Sequence, residues 1–266
     1  MTRRTALITG ASSGIGQAFA GELAARGFDL VVVARREDRL RALAASIEER
    51  HGRRVHVFTV DLADPGASAR LCEQLAAAGV SVDVLVNNAG FAVPGAFVRS
   101  DWPRHAEFLQ VMLVAVVELT YRLLPGMIDR GYGRVINVAS LAALLPGVAG
   151  HTLYAAAKSF LIRFSESLAT EVAPRGVHVT AVCPGFTFTE FHDVSGTRDI
   201  VSRMPSFMWM TATAVARHGC DAVMAGRRVS VPGRVNSAIA TLARLLPPRI
   251  VHAMNRRAGS RYRKAD

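Results

Sequence analysis

The chain has 266 residues, half of them apolar and 20% charged, which excludes a disordered protein and sits at the upper end for one hydrophobic core. Three scattered cysteines without a CxxC pair (Cys72, Cys183, Cys220) and eight histidines without ligand spacing exclude a disulfide framework and argue against a metal site. The net charge of +11 is concentrated at one end, where residues 226–266 carry ten basic side chains and one acid, so the body is nearly neutral and offers no nucleic-acid face.

Short apolar runs rich in β-formers fall at 5–9, 30–34, 55–60, 84–87, 134–138, 178–182 and 228–231. They are nearly continuous in hydrophobicity, as expected of strands covered on both faces. Helix-period segments lie between them at 15–26, 37–50, 66–78, 102–129 and 152–173. This alternation predicts an α/β fold: a three-layer, Rossmann-type, doubly wound parallel sheet of about seven strands, with ligands at the carboxyl ends of the strands. No linker divides the chain. A single domain over 1–232 is expected, with 186–225 as an insertion-like covering segment and 233–266 as a basic amphipathic tail.

The first strand runs into Gly10-Ala11-Ser12-Ser13-Gly14-Ile15-Gly16, a glycine-rich turn opening a helix. Glycines there let a pyrophosphate approach the backbone, and the helix N-terminus attracts it. On its own such a turn is also just a tight strand-to-helix connection. Asp61-Leu62 closes the third strand and Asn87-Asn88-Ala89-Gly90 the fourth, both at the edge of the same crevice. At the end of the second strand, where an acid would bind the ribose hydroxyls of NAD, stand Arg35 and Arg36. Guanidinium groups suit phosphate oxygens, so NADP(H) is expected over NAD(H), although an exposed charge pair would read the same way.

Tyr154 and Lys158 lie four apart on one predicted helix and therefore share a face. A phenol is a poor base at neutral pH, and an adjacent ammonium stabilises its phenolate. Ser140 ends the strand before them, and Cys183-Pro184-Gly185 follows the next strand.

Together these residues resemble the short-chain dehydrogenase/reductase family from the first strand to Thr189: TGASSGIG at 9–16, Asp61-Leu62, NNAG at 87–90, Ser140, Tyr154 with Lys158, and Pro184-Gly185 with Thr189. The resemblance implies a nicotinamide cofactor and ketone/alcohol redox chemistry. It implies that Ser140 orients the substrate oxygen, that Tyr154 gives or takes the proton, and that Lys158 lowers the tyrosine pKa and holds the nicotinamide ribose. It also implies that Thr187 and Thr189 reach the carboxamide, and that Asn88, Ala89 and Gly90 lie by the ribose. One position departs. The family carries an asparagine thirteen residues before the proline of its LLPGM-like ending, and here Met112 stands there. A thioether has no amide donors to hold a relay water. Gln110, about 200° around an ideal helix, is a poor substitute. A cofactor-binding sensor with little turnover is therefore the alternative to an active enzyme.

Residues 186–210 are rich in aromatics and methionine; Phe186, Phe191, Met208 and Trp209 are the candidate substrate wall, which points to a bulky apolar, lipid-like or long-chain acyl substrate. Core or subunit packing is the alternative for them. Val235, Ile239, Leu242 and Leu246 fall at helical spacing among arginines. Such a tail can lie on an anionic membrane surface, or pack on the domain or on a second copy. The expected assembly is a homodimer or homotetramer. With no signal-type pattern after Arg3 and Arg4, the expected location is cytoplasmic, with membrane contact confined to the tail.

Overall fold

A computed structural model describes residues 3–191 and 204–245. Seven strands form one parallel sheet: β1 (Thr5–Thr9), β2 (Asp29–Ala34), β3 (Val55–Thr59), β4 (Val84–Asn87), β5 (Gly133–Val138), β6 (Val177–Val182) and an edge strand Val229–Ser230. Their spatial order is β3-β2-β1-β4-β5-β6-edge, so the direction of winding reverses between β1 and β4. The crevice at that reversal is where this class of sheet binds ligands.

The strands are buried on both faces, and the two periods separate cleanly. Ala6, Ile8, Leu30, Val32, Val84, Val86 and Ile136 point into one core, packed by α1 (Gly14–Ala25) and α2 (Glu37–His51). Leu7, Val31, Val33, Leu85, Val135 and Val179 point into the other. That second core is covered by α3 (Ala67–Ala77), by a long composite helix and by α6 (Thr152–Val172). The composite helix consists of α4 (Trp102–Leu109), a wide π-helical turn (Gln110–Val114) and α5 (Ala115–Asp129). Among the described residues it is the one stretch long and apolar enough to cross a membrane by length and composition, but its Val111, Ala115, Leu119 and Met127 are buried against the sheet.

The expected organisation is refined at two places, the covering segment and the tail. The covering segment is not all insertion, because Ala212–Met224 forms a helix, α7, that completes the first core. Its Val215, Ala216, Cys220 and Val223 are fully buried beside Phe19, and Gly219 makes this fit possible: a Cβ there would lie 2.8 Å from the Phe19 ring. Upstream, two short strands, β7 (Thr187–Phe188) and β8 (Met210–Thr211), pair in parallel and tie the chain after β6 to the residues just before α7. The first part of the tail forms α8 (Arg234–Leu245), which docks on the domain. Asn236 and Ala240 are its buried residues; of the apolar stripe Ile239 lines the cleft, whereas Val235 and Leu242 face solvent. Leu246 and the later tail residues lie outside the described residues.

Candidate active site

The glycine turn after β1 is shaped by contact with the end of β4. Asn88 Nδ2 donates to the carbonyls of Thr9 (2.9 Å) and Gly10 (3.3 Å). Thr9 Oγ1 in turn accepts from the amides of Asn88 and Ala89, both at 3.0 Å. Gly10 and Gly14 have φ of +66° and +57°, a region that side chains disfavour. At Gly16 a Cβ would sit 2.3 Å from the Gly10 carbonyl oxygen. The result is a bare backbone cradle at the N-terminus of α1, the surface a dinucleotide pyrophosphate requires. A cleft of about 620 Å³ opens over it, lined by Ser12, Ser13, Ile15, Arg35, Asp61, Leu62, Ala89 and Gly90 among others. The residues fit a nicotinamide dinucleotide.

The same cleft receives the catalytic candidates from three different elements. Ser140 follows β5, and its Oγ accepts from the amide of Ala142 (3.2 Å), capping a short 3-10 turn. Tyr154 and Lys158 come from the first turns of α6, with the ammonium 5.9 Å from the phenol ring centre. Lys158 Nζ donates to the Val138 carbonyl at 2.6 Å. Only 6% of the residue is exposed, and burial pushes the ammonium down to about 8. Cys183 lies nearby, but burial pushes its thiol up to about 12, so it stays neutral. Pro184, Gly185, Thr187 and Thr189 line the cleft after β6; Thr187 Oγ1 donates to the Gly185 carbonyl at 3.1 Å. Thr189 leans over the glycine turn, 3.0 Å from where a Gly14 Cβ would be.

The two arginines after β2 part company. Arg35 turns toward Asp61, 3.8 Å away. Arg36 folds back onto the glycine turn, donating to Ser12 Oγ (3.0 and 3.2 Å) and Ser13 Oγ (2.9 Å). Arg39, in the first turn of α2, joins it at Glu190, and the sequence reading missed both residues. Arg36 is the extended residue that caps this helix, so closeness in sequence to Arg36 was the one signal for Arg39.

Of the four candidate wall residues, Phe186, Phe191 and Met208 line the cleft, joined by Met204, Leu145 and Ile239. Trp209 does not. It stacks on Phe188 with ring centres 4.7 Å apart and so supports the wall from behind, because β7 and β8 set those two rings face to face. Two further lining residues were not anticipated. Asn236 of α8 packs on Gly185, where a Cβ would come within 2.4 Å of its Oδ1. His151, at the start of α6, sets its ring edge-on to Tyr154 at 5.9 Å. Met112 is 1% exposed in the π-helical turn, packed with Phe108, Ala157 and Tyr154. Gly90 makes room for it, its missing Cβ position lying 2.7 Å from the thioether sulfur. Gln110 is not among the residues of the cleft.

The sequence profile of the short chain dehydrogenases matches residues 4–199. The chain belongs to that family. It is therefore a member of an oxidoreductase family, and the sheet described above is that family's fold. Nodulation protein G of Rhizobium sp. (strain N33) is 37% identical over 222 residues, 81% of this chain and 87% of the relative. A very-long-chain 3-oxoacyl-CoA reductase of Pyrenophora tritici-repentis (strain Pt-1C-BFP) is 31% identical over 80% of this chain, which spans 64% of that relative's length. Among solved structures, a short-chain dehydrogenase from Sphingobium yanoikuyae in complex with NADPH superposes with a TM-score of 0.79 at 30% identity, covering 92% of this chain and 97% of that one.

Proposed function

We propose that this dehydrogenase uses NADP(H) to interconvert a ketone and a secondary alcohol on a bulky apolar substrate, with Tyr154 as the proton donor. The observation that carries the reading is the convergence of Ser140, Tyr154 and Lys158 on a cleft whose floor is the glycine cradle. The apolar side of that cleft, with Phe186, Phe191, Met204 and Met208, suits a lipid or long-chain acyl group, in keeping with the acyl substrate named for the Pyrenophora relative.

Glycines 10, 14 and 16 would hold the pyrophosphate, Asp61 and Leu62 the adenine, and Thr187 and Thr189 the carboxamide. When bound, the nicotinamide supplies a hydride to the carbonyl carbon. Ser140 Oγ orients the carbonyl oxygen, and the Tyr154 hydroxyl donates its proton to it. The Lys158 ammonium stabilises the phenolate left behind, through a low-dielectric path that strengthens the interaction.

The NADP(H) preference rests on Arg36, whose guanidinium is already aimed at the cradle by Ser12 and Ser13. Arg36→Ala is expected to weaken NADPH binding by roughly 10–100-fold, the value of a hydrogen bond between charged groups, while NADH affinity changes little. Calorimetric titration of both cofactors reads this directly, and equal affinities in the unmodified chain would overturn it.

Met112 favours one other reading, a cofactor-binding sensor with little turnover, since the buried thioether stands where the family has a water-holding amide. A ketone panel with NADPH separates the two: oxidation of the cofactor supports the reductase, whereas tight binding with no turnover on any ketone supports the sensor. We also propose self-association through the exposed side of the composite helix and α6, where Val114, Tyr121 and Phe160 face solvent. A monomer by sedimentation equilibrium at micromolar concentration would argue against it.

A further inference from the structure

Glu190 stands on the lip of the cleft opposite α2, two residues beyond β7. Its Oε2 accepts from Arg36 Nη1 at 3.0 Å, and its two oxygens accept from Arg39 Nη1 at 2.7 and 2.8 Å. The partners are more than 150 positions away in sequence, so this is not a neighbour pair on one helix face but a contact the fold builds across the cleft mouth. The Arg36 guanidinium spends its other donors on Ser12 and Ser13. Arg35 faces Asp61 instead. The cationic pair left at this end of the cleft is Arg36 with Arg39, and one carboxylate holds both.

We propose that Glu190 is a cofactor-specificity residue: its carboxylate competes with the 2′-phosphate of NADP(H) for Arg36 and Arg39. This rests on the NADP(H) reading above. A carboxylate and a phosphate monoester present the same kind of acceptor oxygens to a guanidinium, but the phosphate brings close to two negative charges at neutral pH. The three side chains are roughly 40% exposed, so their mutual attraction is screened and weak enough for a dianion to displace. Hydrogen bonds from Arg39 and then Arg36 hold the Glu190 carboxyl below the usual carboxylate range, which keeps it ionised across the neutral range. NADH offers only hydroxyls at this point, so it leaves the ion pairs intact. The carboxylate therefore subtracts from NADPH affinity alone and narrows the preference that the arginines create.

The test is the dissociation constant of each cofactor, measured by calorimetry on the full chain, for the unmodified protein, Glu190→Gln, Arg36→Gln/Arg39→Gln and the triple variant. Glu190→Gln should tighten NADPH roughly three- to tenfold, with NADH changed less than about twofold. In the Arg36→Gln/Arg39→Gln background the same substitution should no longer alter the NADPH/NADH ratio. Equal tightening of both cofactors would reduce Glu190 to a general repulsive charge and overturn the proposal. Weakening of either cofactor would also overturn it, since the carboxylate would then be a direct ligand or a strap over the dinucleotide. An unmodified chain without NADPH preference counts against the cofactor reading alone; the shift in ratio on Glu190→Gln still decides the competition. Melting temperatures of all four proteins accompany the titrations, so that a folding defect is not read as an affinity change.

Discussion

Tyr154→Phe is expected to lower kcat for ketone reduction by about 10²–10⁴-fold, the usual contribution of a positioned general acid, while NADPH binds with near-unchanged affinity. The ring remains, so its contacts with Met112 and the edge of His151 persist and the local packing holds. What is lost is the hydroxyl of a ring that lines the cleft with its centre 5.9 Å from the Lys158 ammonium. Because that ammonium is pushed down to about 8 by burial, the unmodified enzyme should show a second signature. Below that pH Lys158 is charged and holds the developing phenolate; above it the charge is lost, Tyr154 becomes a weaker acid, and kcat/KM for reduction declines. A pH profile flat to pH 10, or a Phe variant with a rate within a factor of a few of the parent, would remove Tyr154 and Lys158 from the roles assigned to them.

The parts of this fold that could be read in sequence are those where one residue type dominates an element. DLVVVA and VHVTAV can scarcely be anything but buried strands, and a tyrosine and a lysine one helical turn apart share a face by geometry alone. Helix α7 was harder because its buried face is made of Val215, Ala216, Gly219 and Cys220, small residues with little hydrophobic contrast, set behind a conspicuous aromatic run. Small residues are what the contact needs, since Phe19 fills the space above Gly219. In the tail helix the sequence offers an apolar stripe that suits a membrane surface, the domain or a second copy alike. Its seat on the domain uses Asn236, whose Nδ2 donates to the Pro232 carbonyl (2.9 Å) and whose side chain lies on Gly185, a contact no apolar pattern announces. Trp209 failed for a similar reason: a large apolar ring near a cleft need not face it when a neighbouring ring, Phe188, offers a flat partner. Arg39 and Glu190 could not be paired from sequence at all. Their contact depends on how the chain returns across the cleft after β6, and no local period encodes that.

Met112→Asn should destabilise the protein and quicken it at once. Met112 is fully enclosed by Phe108, Ala157, Tyr154 and their neighbours, with its sulfur set into the space left by Gly90. Removing that side chain forfeits its packing against the apolar wall, at a cost of about 2–5 kcal/mol. A fall in melting temperature on the order of 10 °C follows for a chain of this size. The shorter side chain also leaves room for a water, and the amide supplies the donors and acceptor that hold one between the π-helical turn and Lys158. We expect kcat for ketone reduction to rise severalfold, with NADPH affinity unchanged because the glycine cradle and Arg36 are untouched. Met112→Leu separates the two effects, since it keeps an apolar side chain of similar volume and should leave both stability and kcat near the parent. A Met112→Asn protein that is folded at the assay temperature but no faster than the parent would mean that proton resupply to Lys158 does not limit turnover.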